Sequence, residues 1–104
     1  MGNKKVVYIA GPISGVEHYW LAFEKAEDDI SAAGFVPLSP SRLPSDLENE
    51  QAMQICMAMI NVADAVLLLP GWNRSVGAQL ELAYCKYTGT PAVSSIDALK
   101  EALV

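Results

Sequence analysis

The chain has 104 residues, 52% of them hydrophobic and 18% charged, with a formal net charge of −5. That length suits one domain with one core, spanning 1–104, and the composition excludes a disordered chain. The acidic balance excludes sequence-independent binding to a nucleic-acid polymer, which needs a basic surface, but not a small anion held by backbone N–H groups.

Apolar runs and helical stripes alternate along the chain. Val6–Val7–Tyr8–Ile9–Ala10 reads as a buried strand ended by Gly11–Pro12. From Tyr19 to Ala33, apolar residues fall at Trp20, Phe23, Ala26, Ile30 and Ala33, a helical stripe that Gly34 closes. Phe35–Val36–Pro37–Leu38 is a short strand whose proline favours an edge or an end. Residues Ser39 to Pro44 read as loop, and Ser45–Asp46–Leu47–Glu48 as a capping box opening a helix to about Val62. Ala65–Leu69 is a third strand, and Ser75 to Thr88 a third helix stopped by Gly89. Pro91–Ala92–Val93–Ser94 is a fourth strand, and Asp97 is expected to cap a last helix to Leu103.

Strict β-α alternation implies an α/β fold, a parallel sheet with helices on both faces. With right-handed crossovers, the expected architecture is a three-layer flavodoxin-like, Rossmann-like sandwich of four strands in the order 2-1-3-4. Ligands in such folds bind outside the carboxyl ends of the strands, where the order reverses. The loops meeting there are Gly11–Pro12–Ile13–Ser14–Gly15 and Pro70–Gly71–Trp72–Asn73–Arg74–Ser75.

Between Val76 and Cys85 only Gln79 and Glu81 are polar. A helix apolar on nearly every side is expected to be buried, and a buried carboxylate must be paired, shifted in pKa or used. Glu81 therefore stands out. Gly77, four residues earlier, shares its helix face and leaves room for a ligand. Ser75 suits an N-cap, and the same helix end suits an anion. From Ser75 to Glu81 is roughly 9 Å of helix axis, the scale of a sugar phosphate. Tyr8 ends near the cleft, either reaching it with its hydroxyl or serving as a core tyrosine. Trp72 either stacks on a base or covers the core. Gly11–Pro12 gives either close backbone approach or an ordinary turn. Asp64 begins its strand, about 17 Å from the switch point, and reads as structural.

Cys56 and Cys85 lack metal-type spacing and read as buried free thiols in a reducing compartment. No apolar run approaches the roughly 20 residues of a membrane span, and Lys4–Lys5 followed by Val6–Ala10 is too short for a signal peptide. A cytoplasmic protein without metal or cofactor is expected, one that does not act at a membrane.

Tyr8–Ile9–Ala10–Gly11–Pro12, the run Ala63–Asp64–Ala65–Val66–Leu67–Leu68–Leu69, and Ser75, Gly77, Glu81 and Cys85 at their spacing together resemble the nucleoside 2-deoxyribosyltransferase-like superfamily. Leu69–Pro70–Gly71–Trp72–Asn73–Arg74–Ser75–Val76–Gly77–Ala78 is similar to its DUF4406 branch, and the resemblance spans residues 4 to about 94. It implies cleavage or transfer of an N-glycosidic bond, with Glu81 attacking the anomeric carbon and Tyr8 orienting it. Transferases of the superfamily carry aspartate at the position of Ser75. The related deoxynucleoside 5′-monophosphate N-hydrolases carry serine, which contacts phosphate, so Ser75 implies a nucleotide rather than a free nucleoside. Gly11, Pro12, Trp72, Asn73, Ser75 and Gly77 are the candidate substrate-binding residues. Cys56 stands where the family usually has an aspartate engaging the leaving base, and a thiol is a poor acid for that task. The alternatives are a non-catalytic nucleotide-binding module and a nicotinamide-dinucleotide glycohydrolase. Superfamily members complete their sites across subunits, which implies a homodimer or larger homo-oligomer.

Overall fold

A computed structural model describes residues 4–104. Its elements are β1 (Val6–Ala10), α1 (Tyr19–Ala32), β2 (Val36–Leu38), α2 (Asn49–Val62), β3 (Ala65–Leu68), α3 (Val76–Thr88), β4 (Ala92–Val93) and α4 (Ile96–Ala102). The strands form one parallel sheet in the order β2-β1-β3-β4. This is the expected winding, with β2 and its Pro37 at an edge.

Side-chain parity along the central strands divides the core in two. Val7, Ile9, Ala65, Leu67 and Leu69 pack with Phe23, Ala26 and Ile30 of α1 and Leu99 of α4. Tyr8, Ala10, Val66 and Leu68 pack on the other face with Cys56 and Ile60 of α2 and Cys85 of α3. Period-2 alternation in a sheet buried on both sides makes every position apolar, which is why β1 and β3 read as unbroken runs. The pairing of Tyr8 with Val66 and Ala10 with Leu68 sends Tyr8 toward α2 and α3. Asp64 is structural, as its position implied. Its carboxylate accepts from the Val6 N–H at 2.8 Å, and its own N–H donates to the Val6 carbonyl.

Local signals moved some boundaries. The capping box for α2 lies three residues later than Ser45–Glu48. Glu48 is the N-cap, and its N–H donates to the Gln51 side chain at 2.9 Å. The same reciprocal chemistry recurs at that offset, leaving 45–47 free to turn. Ser95, not Asp97, caps α4, its hydroxyl accepting from the Ala98 N–H. Asp97 lies in the first turn, where its charge suits the helix dipole. Two 3₁₀ turns, Pro40–Arg42 and Trp72–Arg74, occupy stretches that read as loop. The first is tied down by Arg42, which grips both oxygens of Glu27 on α1 at 3.1 Å. Gly34 and Gly89 end α1 and α3 with φ of 90° and 78°, as expected.

α3 is less buried than its composition suggests. Ala78, Glu81 and Cys85 face inward, whereas Val76 is 73% and Leu80 52% exposed. It covers one face of a short sheet, so only one stripe finds a partner.

The ends of β1 and β3 run close together at Gly11. A Cβ there would lie 2.9 Å from the Leu69 Cβ, which no rotamer change relieves. Gly11→Ala is expected to destabilise the protein by about 1–3 kcal/mol, the cost of overpacking, read as a lowered midpoint in denaturant at unchanged m-value.

Candidate functional site

The two switch-point loops touch. Gly71 holds φ of 89°, and a Cβ on it would meet the Pro12 ring at 3.3 Å, so its conformation and its clearance both favour glycine. From there the chain makes the Trp72–Arg74 turn and enters α3 through Ser75, whose hydroxyl accepts from the Ala78 N–H at 3.2 Å.

A cleft of about 1120 Å³ opens between these loops and α2. Gly11, Pro12 and Ile13 line one side, Ser75, Gly77 and Glu81 the other, and Met53, Cys56 and Met57 form the α2 wall. Glu81 is 5% exposed and Tyr8 fully buried. The Tyr8 hydroxyl donates to Glu81 Oε2 at 2.7 Å, joining the centre of the sheet to the second turn of α3. The Cys56 thiol lies beside both groups.

Burial raises the pKa of Glu81, and the hydrogen bonds from Tyr8 and Cys56 partly offset that by favouring the carboxylate. Burial, then the charge of Glu81, raise Tyr8, so it stays protonated and remains the donor. Burial pushes the Cys56 thiol up to about 11. The arrangement is a desolvated carboxylate held by a fixed donor at the edge of a ligand-sized cleft. Such a group suits a nucleophile or an electrostatic partner for developing positive charge.

The expected residues do not all converge. Tyr8, Gly11, Pro12, Ser75, Gly77 and Glu81 come together. Trp72 does not line the cleft: it packs half-buried against the α2–α3 side of the core. Asn73 also stays outside. It is exposed, and its carbonyl accepts from the Gln79 side chain. Above Gly77 the space is partly filled, with the Met53 methyl 3.5 Å from where a Cβ would stand.

Other wall residues went unrecognised in the sequence. Glu50, Met53 and Met57 follow the three-and-four spacing of one helix face. That pattern is identical for a core stripe and a cleft wall. Arg74, whose sequence position beside Ser75 already offered a group to hold an anion, is the cleft's only lysine or arginine. Among the described residues, no group of three or more His, Cys, Asp or Glu side chains could hold a metal ion, and no helix is long and apolar enough to cross a membrane. Both cysteines are free and buried.

A family model described as a domain of unknown function (DUF4406) matches residues 5–94. The chain belongs to that family. Among solved structures it is similar to a 2-desoxiribosyltransferase from Leishmania mexicana, with 20% identity and a TM-score of 0.70 over 86% of this chain. It spans 63% of the length of that protein. It is also similar to a 2-deoxyribosyltransferase from the psychrotolerant bacterium Bacillus psychrosaccharolyticus, with 19% identity and a TM-score of 0.67, over 85% of this chain and 70% of that one. At these identities the likeness establishes a shared fold. No curated protein matches the chain.

The raised pKa of Glu81 makes a stability prediction. A carboxyl whose folded pKa lies above its unfolded value stabilises the fold when protonated. That contribution is complete below the unfolded pKa and is lost as pH rises through the folded one. Once pH has risen through that folded value, the protein bears the cost of a buried charge. Glu81→Gln, which can still accept from Tyr8, is expected to be more stable than wild type by about 1–2 kcal/mol at pH 8. The advantage should shrink as the solution is acidified, as followed by thermal unfolding across pH.

Proposed function

We propose that this DUF4406 protein cleaves or transfers the N-glycosidic bond of a small nucleoside 5′-monophosphate or nucleoside, with Glu81 as nucleophile and Tyr8 as its positioning partner. The single observation that carries the proposal is the 2.7 Å hydrogen bond from the buried Tyr8 hydroxyl to Glu81 beside the cleft. A carboxylate without its water shell is a better nucleophile than one in solvent, and a fixed donor keeps it aimed. Glu81 would attack the anomeric carbon to form a glycosyl ester, which water or a second base resolves with net retention. Its charge would also favour the positive character that develops on the sugar.

At the head of α3, Ser75 and Arg74 offer a place for the 5′-phosphate, using helix N–H groups and a guanidinium. The roughly 9 Å of helix axis between Ser75 and Glu81 fits the span from phosphate to anomeric carbon. Gly11 and Pro12 would border the sugar. The fold shared with two proteins named as 2-deoxyribosyltransferases supports the same class of bond. Cys56 on the cleft wall favours a second reading, a nucleotide-binding module without turnover, because a thiol is a weak proton donor.

A panel of deoxy- and ribonucleotides followed by release of free base separates these readings. Release is expected from wild type, and Glu81→Ala should lower it on the order of 10³-fold or more. The rate should fall with acidification through a pKa above the ordinary carboxylate range, as Glu81 becomes protonated. Release that survives Glu81→Ala removes Glu81 as nucleophile; binding without release favours the module.

α3 exposes Tyr87 together with Val76 and Leu80, which also line the cleft, and α2 exposes Ile55 and Val62. This apolar surface supports a homo-oligomer. Light scattering should give a particle of at least two chains of 11.2 kDa, and a monomer at micromolar concentration would refute it.

A further inference from the structure

Breaking an N-glycosidic bond sends the bonding pair onto a nitrogen of the base. A neutral purine or pyrimidine takes that pair readily only if a proton is delivered to it, and a positioned acid contributes about 10²–10⁴-fold. The cleft is poorly equipped to supply one. Its wall carries two carboxyl groups, Glu50 and Glu81. Glu81 is committed as nucleophile and accepts from Tyr8. Glu50 is exposed, in the first turn of α2 at the cleft rim. The Tyr8 hydroxyl is engaged with Glu81, and burial together with that charge keeps its proton in place.

The α2 wall supplies sulfur and hydrocarbon instead. Met53, Cys56 and Met57 line it, with Leu43 and Leu47 from the preceding segment. Burial pushes the Cys56 thiol up to about 11, so it holds its proton rather than giving it up. Tyr19, the first residue of α1, also lines the cleft. Thioethers and a phenol ring are polarizable surfaces that accommodate a flat cation. Glu50 and Glu81 against Arg74 give the wall two carboxylates to one guanidinium, which also favours a positively charged group.

We propose that the cleft takes N-glycosides whose base already carries a positive charge, an N-alkylated purine or a pyridinium nucleotide, so that the base departs neutral without a proton donor. This rests on the glycosidase reading of Glu81. In the first step a Glu81 carboxylate oxygen bonds to C1′, the C1′–N bond breaks, and its electron pair neutralises the ring cation. In the second, water bonds to C1′, the ester bond to Glu81 breaks, the carboxylate is restored, and the surplus proton of the water passes to solvent. The sum is cationic N-glycoside plus water to free sugar phosphate, neutral base and one proton. Cys56, Met53 and Met57 serve as the apolar wall for the base.

The test compares matched substrates on the intact protein at pH 6, each corrected for its spontaneous hydrolysis. GMP is set against 7-methylguanosine 5′-monophosphate, dGMP against its 7-methyl derivative, and nicotinamide mononucleotide is added as the pyridinium case. Glu81-dependent release from the charged member of a pair is expected to exceed release from the neutral one by about 10²-fold or more, the rate a missing acid forfeits. Cys56→Asp, which installs an acid on the wall, should narrow that ratio at least tenfold. A wild-type ratio under tenfold overturns the proposal and leaves the glycosidase reading standing. So does a Glu50→Gln variant that loses tenfold or more on neutral nucleotides alone, because Glu50 would then be the proton donor. No Glu81-dependent release from any of the five substrates overturns both.

Discussion

One hydrogen bond organises this molecule, the contact between the Tyr8 hydroxyl and Glu81. It places a phenol from the second strand of the sheet order against a carboxylate from a helix that follows more than sixty residues later. Neither group suits its place alone. A carboxylate at 5% exposure requires a donor, and a fully buried tyrosine requires an acceptor for its hydroxyl. Among the described residues, no buried side-chain nitrogen or oxygen lacks a partner. The cost of burying Glu81 is thereby reduced but not removed, and a strained ionisation state at the edge of a cleft is what a reactive site requires.

The contact depends on parity and clearance. Tyr8 faces α3 only because β1 pairs with β3 in the register that sets Tyr8 beside Val66. A slip of one residue would turn Tyr8 toward α1 and place Val7 or Ile9 against Glu81. Clearance comes from Gly11, where β1 leaves the sheet against Leu69, and from Gly71 against Pro12. On the far side, Arg42 and Glu27 anchor the 3₁₀ turn that carries Pro40 into the cleft wall. The Tyr8–Glu81 pair is thus set by the sheet, while the cleft itself is lined by loops, by the first turns of α2 and by the start of α3.

Much of this was legible in the residues themselves. The two unbroken apolar runs, the glycines that close α1 and α3, and the β-α alternation led to the correct strand order, because a sheet covered on both faces leaves a distinct apolar signature. Glu81 was conspicuous as a carboxylate in an apolar helix. Boundaries were less legible where two capping signals overlapped, as at Ser45–Gln51 and Ser95–Asp97. Both positions offer chemically adequate caps, so local chemistry does not choose between them. The apolar character of α3 misled in a different way. Hydrophobicity measures what a side chain would gain from a partner, and Val76, Leu80 and Tyr87 remain largely exposed.

The residues by themselves determined the fold class, the winding order and the position of the switch-point loops, since periodicity and turn chemistry are local properties summed over short windows. They also singled out Glu81, because burying an unpaired charge is costly in any fold. Only the tertiary structure decided what faces it. Tyr8 became its donor and Cys56 its neighbour, Met53 and Met57 became a cleft wall, and Trp72 and Asn73 fell outside. These outcomes depend on strand register and on the approach of α2 to α3, distances set between residues far apart in the chain. No local pattern encodes them.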